Sequence, residues 1–263
     1  MDITHYIKTL PPLPDTIIQF EKMIQDDNQS VADISRLLAK DPMMVANILK
    51  QANAPIYGFS REITSLDQAV ALFGIGNIRG FVLASIVLSH NLVLDFSAYD
   101  INEHQFVARA QQQQAIMSKW LRGSEDLITL SSASFMVFLG QLIITQILKD
   151  TKQLNDFKTL VASGLTYEEA EIKIIGIPCC QVTAQMFKAW KFEPMLIQAI
   201  ENMYFLQNED AAIILRASRI KTVTLAINTQ AKVTPQTRLD ALQNCQTHNI
   251  ECHDLKMILE NSF

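Results

Sequence analysis

The sequence carries no excess of positive charge, since 22 lysines and arginines face 27 aspartates and glutamates and the net charge is -5. Such a chain has no global field that attracts nucleic acid or an anionic membrane. The amino terminus also lacks the basic segment and apolar run of a secretory signal. These absences predict a cytoplasmic protein without membrane insertion, and they make nucleic acid an unexpected partner.

Cysteine is scarce as well, and the four cysteines show no C-x-x-C spacing. Cys179 and Cys180 are adjacent, which is poor geometry for a redox pair, and we interpret them as small residues of a helix interface. One compact set of metal-ligating residue types occurs near the carboxyl end: Cys245, His248, Cys252 and His253. Structural zinc sites usually use two ligand pairs separated by a longer loop. Metal binding by this set stays open, and no cofactor is predicted.

Hydrophobic residues make up 49% of the 263 residues, enough for the core of one large domain or of two packed lobes. Nearly every apolar stretch repeats with helical spacing, and no stretch has the strict alternation of a strand. We therefore predict an all-α, two-lobed helical bundle. Turn-forming residues collect at 95–102, so the predicted units are residues 1–95, 96–230 and a C-terminal extension of 231–263.

Capping residues predict several helix ends. Ser30 with Asp33 predicts a helix that ends near Lys40, and Asp41-Pro42 predicts the next one. Gly74 and Gly76 predict a break between a helix at 65–72 and another at 77–89. With a helix after Pro14, five helices precede residue 95. Further helices are predicted at 103–121, 129–149, 154–163, 167–174, 178–191, 194–206, 211–228, 235–244 and 254–261. Four consecutive glutamines at 111–114 are interpreted as a solvated helix face.

The segment 127–148 contains no formal charge and is long enough to span a bilayer. Serines, threonines and glutamines lower its hydropathy, and neither an arginine and lysine cluster nor an aromatic belt flanks it. A helix that is surrounded by other helices is apolar on every side. We therefore predict a central core helix here.

Three stretches of the first half carry a family resemblance: LPPLP at 10–14, DPMMVANILKQANAPIYGF at 41–59 and ITSLDQAVALFGIGNIRGFV at 63–82. They resemble the HDOD family, bacterial helical regulatory domains related to the metal-dependent HD phosphohydrolases. The resemblance extends to about residue 228. The signature positions in this chain, for which structural roles suffice, are Leu10, Pro11, Leu13, Pro14, Asn53, Tyr57, Gly74, Gly140 and Trp190.

The same resemblance shows that the metal-binding pattern is degenerate. The family segment G-L-L-H-D-I-G-K-L aligns with residues 134–142, so Val137 and Phe138 occupy the His-Asp positions. Cys179 stands in place of a histidine, and Ser218 in place of an aspartate. Met203 and Tyr204 replace two further histidines. Because these side chains offer at most a lone thiol and weak donors, the resemblance implies a protein without a metal site or catalytic residues.

The resulting hypothesis is a non-catalytic bacterial signal-transduction module that acts by binding a protein or a small ligand, with the cleft between lobes as the expected site. One alternative is a residual hydrolase of nucleotides or cyclic dinucleotides, with a rearranged site built from residues such as Asp126, Asp150, Asp156 or Glu201. Another is a weak nucleic-acid binder that uses the corner at 74–79, including Arg79.

Overall fold

The computed structural model describes residues 3–25, 30–88 and 95–261, and the only regular elements in these ranges are helices. The predicted all-α class is confirmed. The first half contains α1 (Ile3–Lys8), α2 (Asp15–Met23), α3 (Val31–Leu38), α4 (Pro42–Ala52) and α5 (Leu66–Leu88), with a 3₁₀ turn at Pro55–Tyr57. Helix α1 precedes the first predicted helix and was missed.

The second half begins with a 3₁₀ turn at Ser97–Tyr99. It continues with α6 (Glu103–Trp120), α7 (Leu127–Met136), α8 (Gly140–Asp150), α9 (Leu154–Ala162), α10 (Tyr167–Ile175), α11 (Cys179–Ala189), α12 (Pro194–Glu201), α13 (Ala211–Leu225), α14 (Pro235–Thr247) and α15 (His253–Asn261). Most predicted bounds agree within a few residues. Helix α12 is shorter than predicted.

The predicted caps of α3 and α4 are confirmed. The amide of Asp33 donates to Ser30 Oγ at 3.2 Å, and the amide of Ser30 donates back to the Asp33 carboxylate. Asp41 Oδ1 accepts the amides of Met43 and Met44 at 3.0 and 3.1 Å. These bonds satisfy amides that the first helical turn leaves without partners.

Helix α5 is continuous except at Gly74, whose φ of 70° and ψ of 167° interrupt it. The predicted break is therefore correct at Gly74 but wrong at Gly76, which is helical. Gly76 instead permits close packing, since a Cβ there would lie 3.0 Å from the Cα of Ile128 in α7. The second part of α5 and α7 thus approach each other closely.

The long apolar segment is not one helix, so the prediction of a single helix at 129–149 is wrong. Helices α7 and α8 have 10 and 11 residues and are separated at 137–139. Each is shorter than the roughly 20 residues that span a bilayer. Two segments, Leu66–Ser85 and Leu127–Asp150, are apolar enough for a span, and 61% and 89% of an 18-residue window in each is buried within the fold. Burial against other helices accounts for their composition.

The two halves are joined by a buried ionic network around Arg79 in α5, whose side chain is 1% exposed. Its guanidinium makes two bonds to the carboxylate of Glu21 in α2, at 3.0 and 2.6 Å. It also contacts Glu193, the N-cap residue of α12, at 2.6 Å, and Thr129 in α7 donates to the same carboxylate. Burial disfavours the charged guanidinium, but the two carboxylates outweigh it and raise the pKa of Arg79.

A second connection runs through the LPPLP turn at 10–14. Leu13 is buried, Leu10 packs on the same core, and Pro14 is the N-cap of α2. The indole Nε1 of Trp190 donates to the Pro11 carbonyl at 3.3 Å. Helix α1, which precedes this turn, packs on α8 and α11. The beginning of the chain is thus fastened to the second half.

The glutamine run at 111–114 is not solvated, and that interpretation is wrong. Gln113 and Gln114 are fully buried, Gln111 is nearly so, and only Gln112 is partly exposed. Helix α6 packs against α5, α7, α13 and α15, and its residues 113–117 are all buried, so the glutamine run has no broad face left for solvent. Gln114 Nε2 donates to the Asn77 carbonyl, and the absent side chain of Gly80 makes room for this amide.

Candidate functional site

The positions that align with the His-Asp pair lie in the turn between α7 and α8, inside the core. Val137 and Phe138 are 0% and 7% exposed. Thr183 in α11 lies beside them, with its hydroxyl 2.8 Å from the Val137 carbonyl and 3.1 Å from that of Cys179. The amide of Gly140 donates to the same hydroxyl oxygen at 2.8 Å. Val137 and Cys179 are thus brought together around the Thr183 hydroxyl.

The positively charged side chain of Arg109 lies directly over Phe138. The guanidinium carbon of Arg109 in α6 is 4.0 Å from the centroid of the Phe138 ring. Its Nε is buried without a hydrogen-bond partner among the described residues. Burial lowers the pKa of Arg109 to about 10, and the nearby Glu168 carboxylate opposes this, so the group stays charged at neutral pH. Sequence reasoning missed Arg109.

The other positions that the family resemblance aligns with metal ligands offer no better set of metal-binding atoms. Met203 is 4% exposed and Ser218 is fully buried. The carbonyl of Tyr204 accepts a bond from Lys221 Nζ at 3.3 Å, and that ammonium lies 5.8 Å from the Tyr204 ring centroid. Burial is the main reason that the pKa of the Cys179 thiol is well above its usual value. A thiol is a poor ligand while it is protonated.

These residues do not fit a divalent metal ion. Metal centres of this kind need several imidazole, carboxylate or thiolate donors, and the aligned side chains supply one buried, protonated thiol. The guanidinium of Arg109 also places a positive charge beside the Phe138 ring, where it would repel a divalent cation. The side chains at the aligned positions therefore offer no set of donor atoms for such an ion.

Two other sets of side chains were suggested from the sequence, one for a rearranged hydrolase site and one of cysteines and histidines near the carboxyl end. Neither forms a metal-binding cluster among the described residues. Among the described residues, no group of three or more His, Cys, Asp and Glu side chains lies in metal-binding geometry. Asp126 is paired with Arg216 and Arg219, at 2.7 and 3.0 Å. Glu201 pairs with Lys188, and Asp150 accepts a bond from Gln146. Cys245 is fully buried and its thiol faces Thr222 at 3.9 Å.

A buried carboxyl group, that of Glu171, lies next to Cys179. Glu171 in α10 is 1% exposed; the Tyr99 hydroxyl donates to its Oε1 at 2.7 Å, and the Cys179 amide donates to its Oε2 at 2.6 Å. Burial raises the pKa of Glu171 to about 8, Glu168 adds to the rise, and the two hydrogen bonds partly oppose it. Glu171 is therefore largely protonated at neutral pH. No sequence motif marks it.

An open cleft of about 670 Å³ separates the two halves of the chain. One wall is the end of α4 with the adjoining 3₁₀ turn, and the other is the first three turns of α6. Pro55, Ile56, Val107 and Ala108 provide apolar surface, and Gln51, Gln111 and Gln112 provide amides. This volume falls in the range of small-molecule sites, and a cleft between lobes is where such sites usually form. The expected interlobe cleft is present.

The signature residue Asn53 shapes the first wall of this cleft. Its amide donates to the carbonyls of Leu49 and Ile63, and its oxygen accepts the Ile63 amide at 2.8 Å. These bonds end α4 and fasten the loop that follows. Tyr57 anchors the turn through edge-to-face contacts with Phe73 and Phe81, at 4.7 and 5.7 Å. These contacts set the position of the cleft wall.

The model of the HDOD domain family matches residues 10–205 of this chain, which is more than half of it. Ser218 lies beyond the matched residues, so its equivalence to the family aspartate stays a prediction. A protein of Treponema pallidum (strain Nichols), described as uncharacterized, is 22% identical over 80 residues. That match covers 30% of this chain and 16% of the relative.

Solved structures show the same fold. A protein of Shewanella amazonensis SB2B, provisionally named a phosphohydrolase, matches over 99% of this chain and 97% of its own, with 18% identity and a TM-score of 0.70. A protein of Marinobacter aquaeolei VT8, provisionally named a signal transduction protein, has 17% identity and a TM-score of 0.68. That match covers 96% of this chain and 56% of the other, so this chain spans little more than half of that relative.

Proposed function

This chain belongs to the HDOD domain family, and on that premise we propose that it is a non-catalytic signal-transduction module that acts by binding in its interlobe cleft. The observation that carries the proposal is the Arg109 guanidinium 4.0 Å above the ring of Phe138, the position that the family resemblance aligns with a metal ligand. A fixed cation and apolar packing replace the ion that would activate water. What remains for function is the cleft.

The alternatives have less support. The name of the Shewanella amazonensis protein favours a hydrolase, but an identity of 18% shows the fold alone. The side chains suggested for a rearranged site do not converge among the described residues. For nucleic acid, Arg79 is the cation of the 74–79 corner, and it is buried and paired with two carboxylates. A cytoplasmic bacterial regulator fits these features best.

Blocking the cleft tests the proposal. We expect a deproteinised extract of the cells that carry this protein to raise its melting temperature by about 2–5 °C, because a ligand at ten times its Kd adds about 1.4 kcal/mol. Ala108→Trp, which fills the cleft wall, should abolish the rise, whereas Ala212→Trp, on an exposed position of α13, should preserve it. A tagged-protein pull-down from the same cells covers protein partners. If extract and pull-down both leave wild type unchanged, the proposal fails.

A further inference from the structure

We infer that the guanidinium of Arg109 in α6 binds an oxyanion, either a phosphate or a carboxylate group, at a site beside the Phe138 ring. Arg109 does not line the interlobe cleft, so the inference goes beyond the proposed function and does not depend on it. It comes from the hydrogen bonds that this guanidinium lacks among the described residues, because a fold is destabilised by a buried charge without partners.

The contrast with Arg79 provides the central observation. The Arg79 guanidinium makes three hydrogen bonds to two carboxylates, those of Glu21 and Glu193. The Arg109 guanidinium makes no hydrogen bond within the described part of the chain, and its close contact is the face of the Phe138 ring at 4.0 Å. A ring face attracts a cation, but the N–H donors of a guanidinium point along its own plane. These donors of Arg109 therefore remain available.

The available donors of Arg109 can be reached from outside. The residue is partly exposed. Its Nε is fully buried, whereas the two terminal nitrogens retain solvent-accessible surface. Two terminal guanidinium nitrogens form the edge that donates two parallel hydrogen bonds to the oxygens of a carboxylate or a phosphate. A dissolved oxyanion can therefore contact the edge that the fold leaves without acceptors.

The charges around Arg109 also favour an anion. The Glu168 carboxylate in α10 attracts both Arg109 and Lys221 of α13, yet it forms no ion pair with either cation among the described residues. Glu171 in α10 is largely protonated at neutral pH, because burial raises its pKa to about 8. One carboxylate thus faces two cations. The surplus positive charge attracts a further anion to the same place.

The test compares three anions on the full chain. Melting temperatures are measured by circular dichroism in millimolar chloride, acetate or inorganic phosphate, at one pH and one ionic strength. At ten times its Kd, acetate or phosphate should raise the melting temperature of wild type by about 2–5 °C above the value in chloride. Chloride cannot accept two parallel bonds. The anion that produces the rise distinguishes a carboxylate ligand from a phosphate ligand.

Matched variants locate the contact. Arg109→Met removes the donors and keeps an apolar side chain over Phe138, and it should weaken the effective anion by about 10- to 100-fold, the usual effect of a lost charged hydrogen bond. It loses no hydrogen bond within the described residues, so we expect it to fold. Arg36→Met is the control, because Arg36 is 74% exposed and paired with Asp33. It should keep the full rise.

Three results overturn the inference. An equal rise in wild type and Arg109→Met would be a general effect of the salt on stability. Absence of a rise in wild type with both acetate and phosphate excludes the site, and a rise that Arg36→Met also loses places the anion elsewhere. If Arg109→Met does not fold, Arg109→Lys decides instead, since it keeps the charge without the planar fork and should weaken the anion by about tenfold.

Discussion

Arg79→Met is expected to lower the free energy of unfolding by about 3–5 kcal/mol, the usual effect of removing one partner of a buried ion pair. Glu21 and Glu193 would then remain in the interior without their counter-charge. In a chain of this size the melting temperature should fall by about 6–20 °C. Thermal and urea unfolding, followed by circular dichroism, measure both quantities.

Two comparisons make this prediction specific. Arg36→Met removes an ion pair with Asp33 whose side chains are 74% and 40% exposed, so it should leave the free energy of unfolding almost unchanged. The triple variant Arg79→Met, Glu21→Gln and Glu193→Gln removes all three charges together, so most of the lost stability should return. If Arg79→Met is no more harmful than Arg36→Met, the buried network does not join the two halves as described.

Glu171→Gln is expected to stabilise the protein increasingly as the pH rises from about 5 to 8. Burial raises the pKa of Glu171 to about 8 from its ordinary 4.5, so the folded state keeps a proton that the unfolded chain releases in this window. Wild type therefore loses stability on this account, by up to roughly 1.4 kcal/mol per pH unit, between the two pKa values. Below about pH 4.5 the stability that Glu171 contributes is fully present, and above about pH 8 the loss of this stability levels off.

Glutamine mimics the protonated carboxyl group. Its oxygen accepts the Cys179 amide as before, and its amide nitrogen replaces Oε1, so the Tyr99 hydroxyl turns from donor to acceptor. Urea unfolding from pH 5 to 9 should give a difference between variant and wild type that grows with pH and reaches a few kcal/mol. Gln207→Met, in an exposed loop, changes no carboxyl group and should give a difference that stays flat. Parallel curves for Glu171→Gln and wild type would show that the buried carboxyl ionises normally.

Much of the fold could be predicted because its determinants are local. The cap residues Ser30 and Asp41 act on amides two or three residues away, and helical periodicity needs no tertiary information. The split between α7 and α8 was missed because residues 137–139 are all apolar, so the sequence carries no polar turn signal there. Tertiary packing decides where such a segment bends.

The candidate site depends on contacts between residues far apart in the chain. Arg79 meets partners 58 and 114 residues away, and Glu171 meets Tyr99 across 72. Gln113 and Gln114 read as polar surface, but four neighbouring helices cover them. The degenerate positions Val137 and Phe138 could be named from a motif, whereas Arg109 above Phe138 belongs to another helix and has no local signal.

The most direct test is metal content and turnover in the same preparation of native protein. We predict less than about one metal ion per ten chains by elemental analysis, and no hydrolysis of bis(p-nitrophenyl) phosphate with added Mn²⁺, Mg²⁺ or Zn²⁺. Arg109 over Phe138 is the physical reason for that expectation. One equivalent of a divalent metal, together with metal-dependent turnover that chelation abolishes, would contradict the proposed non-catalytic binding function.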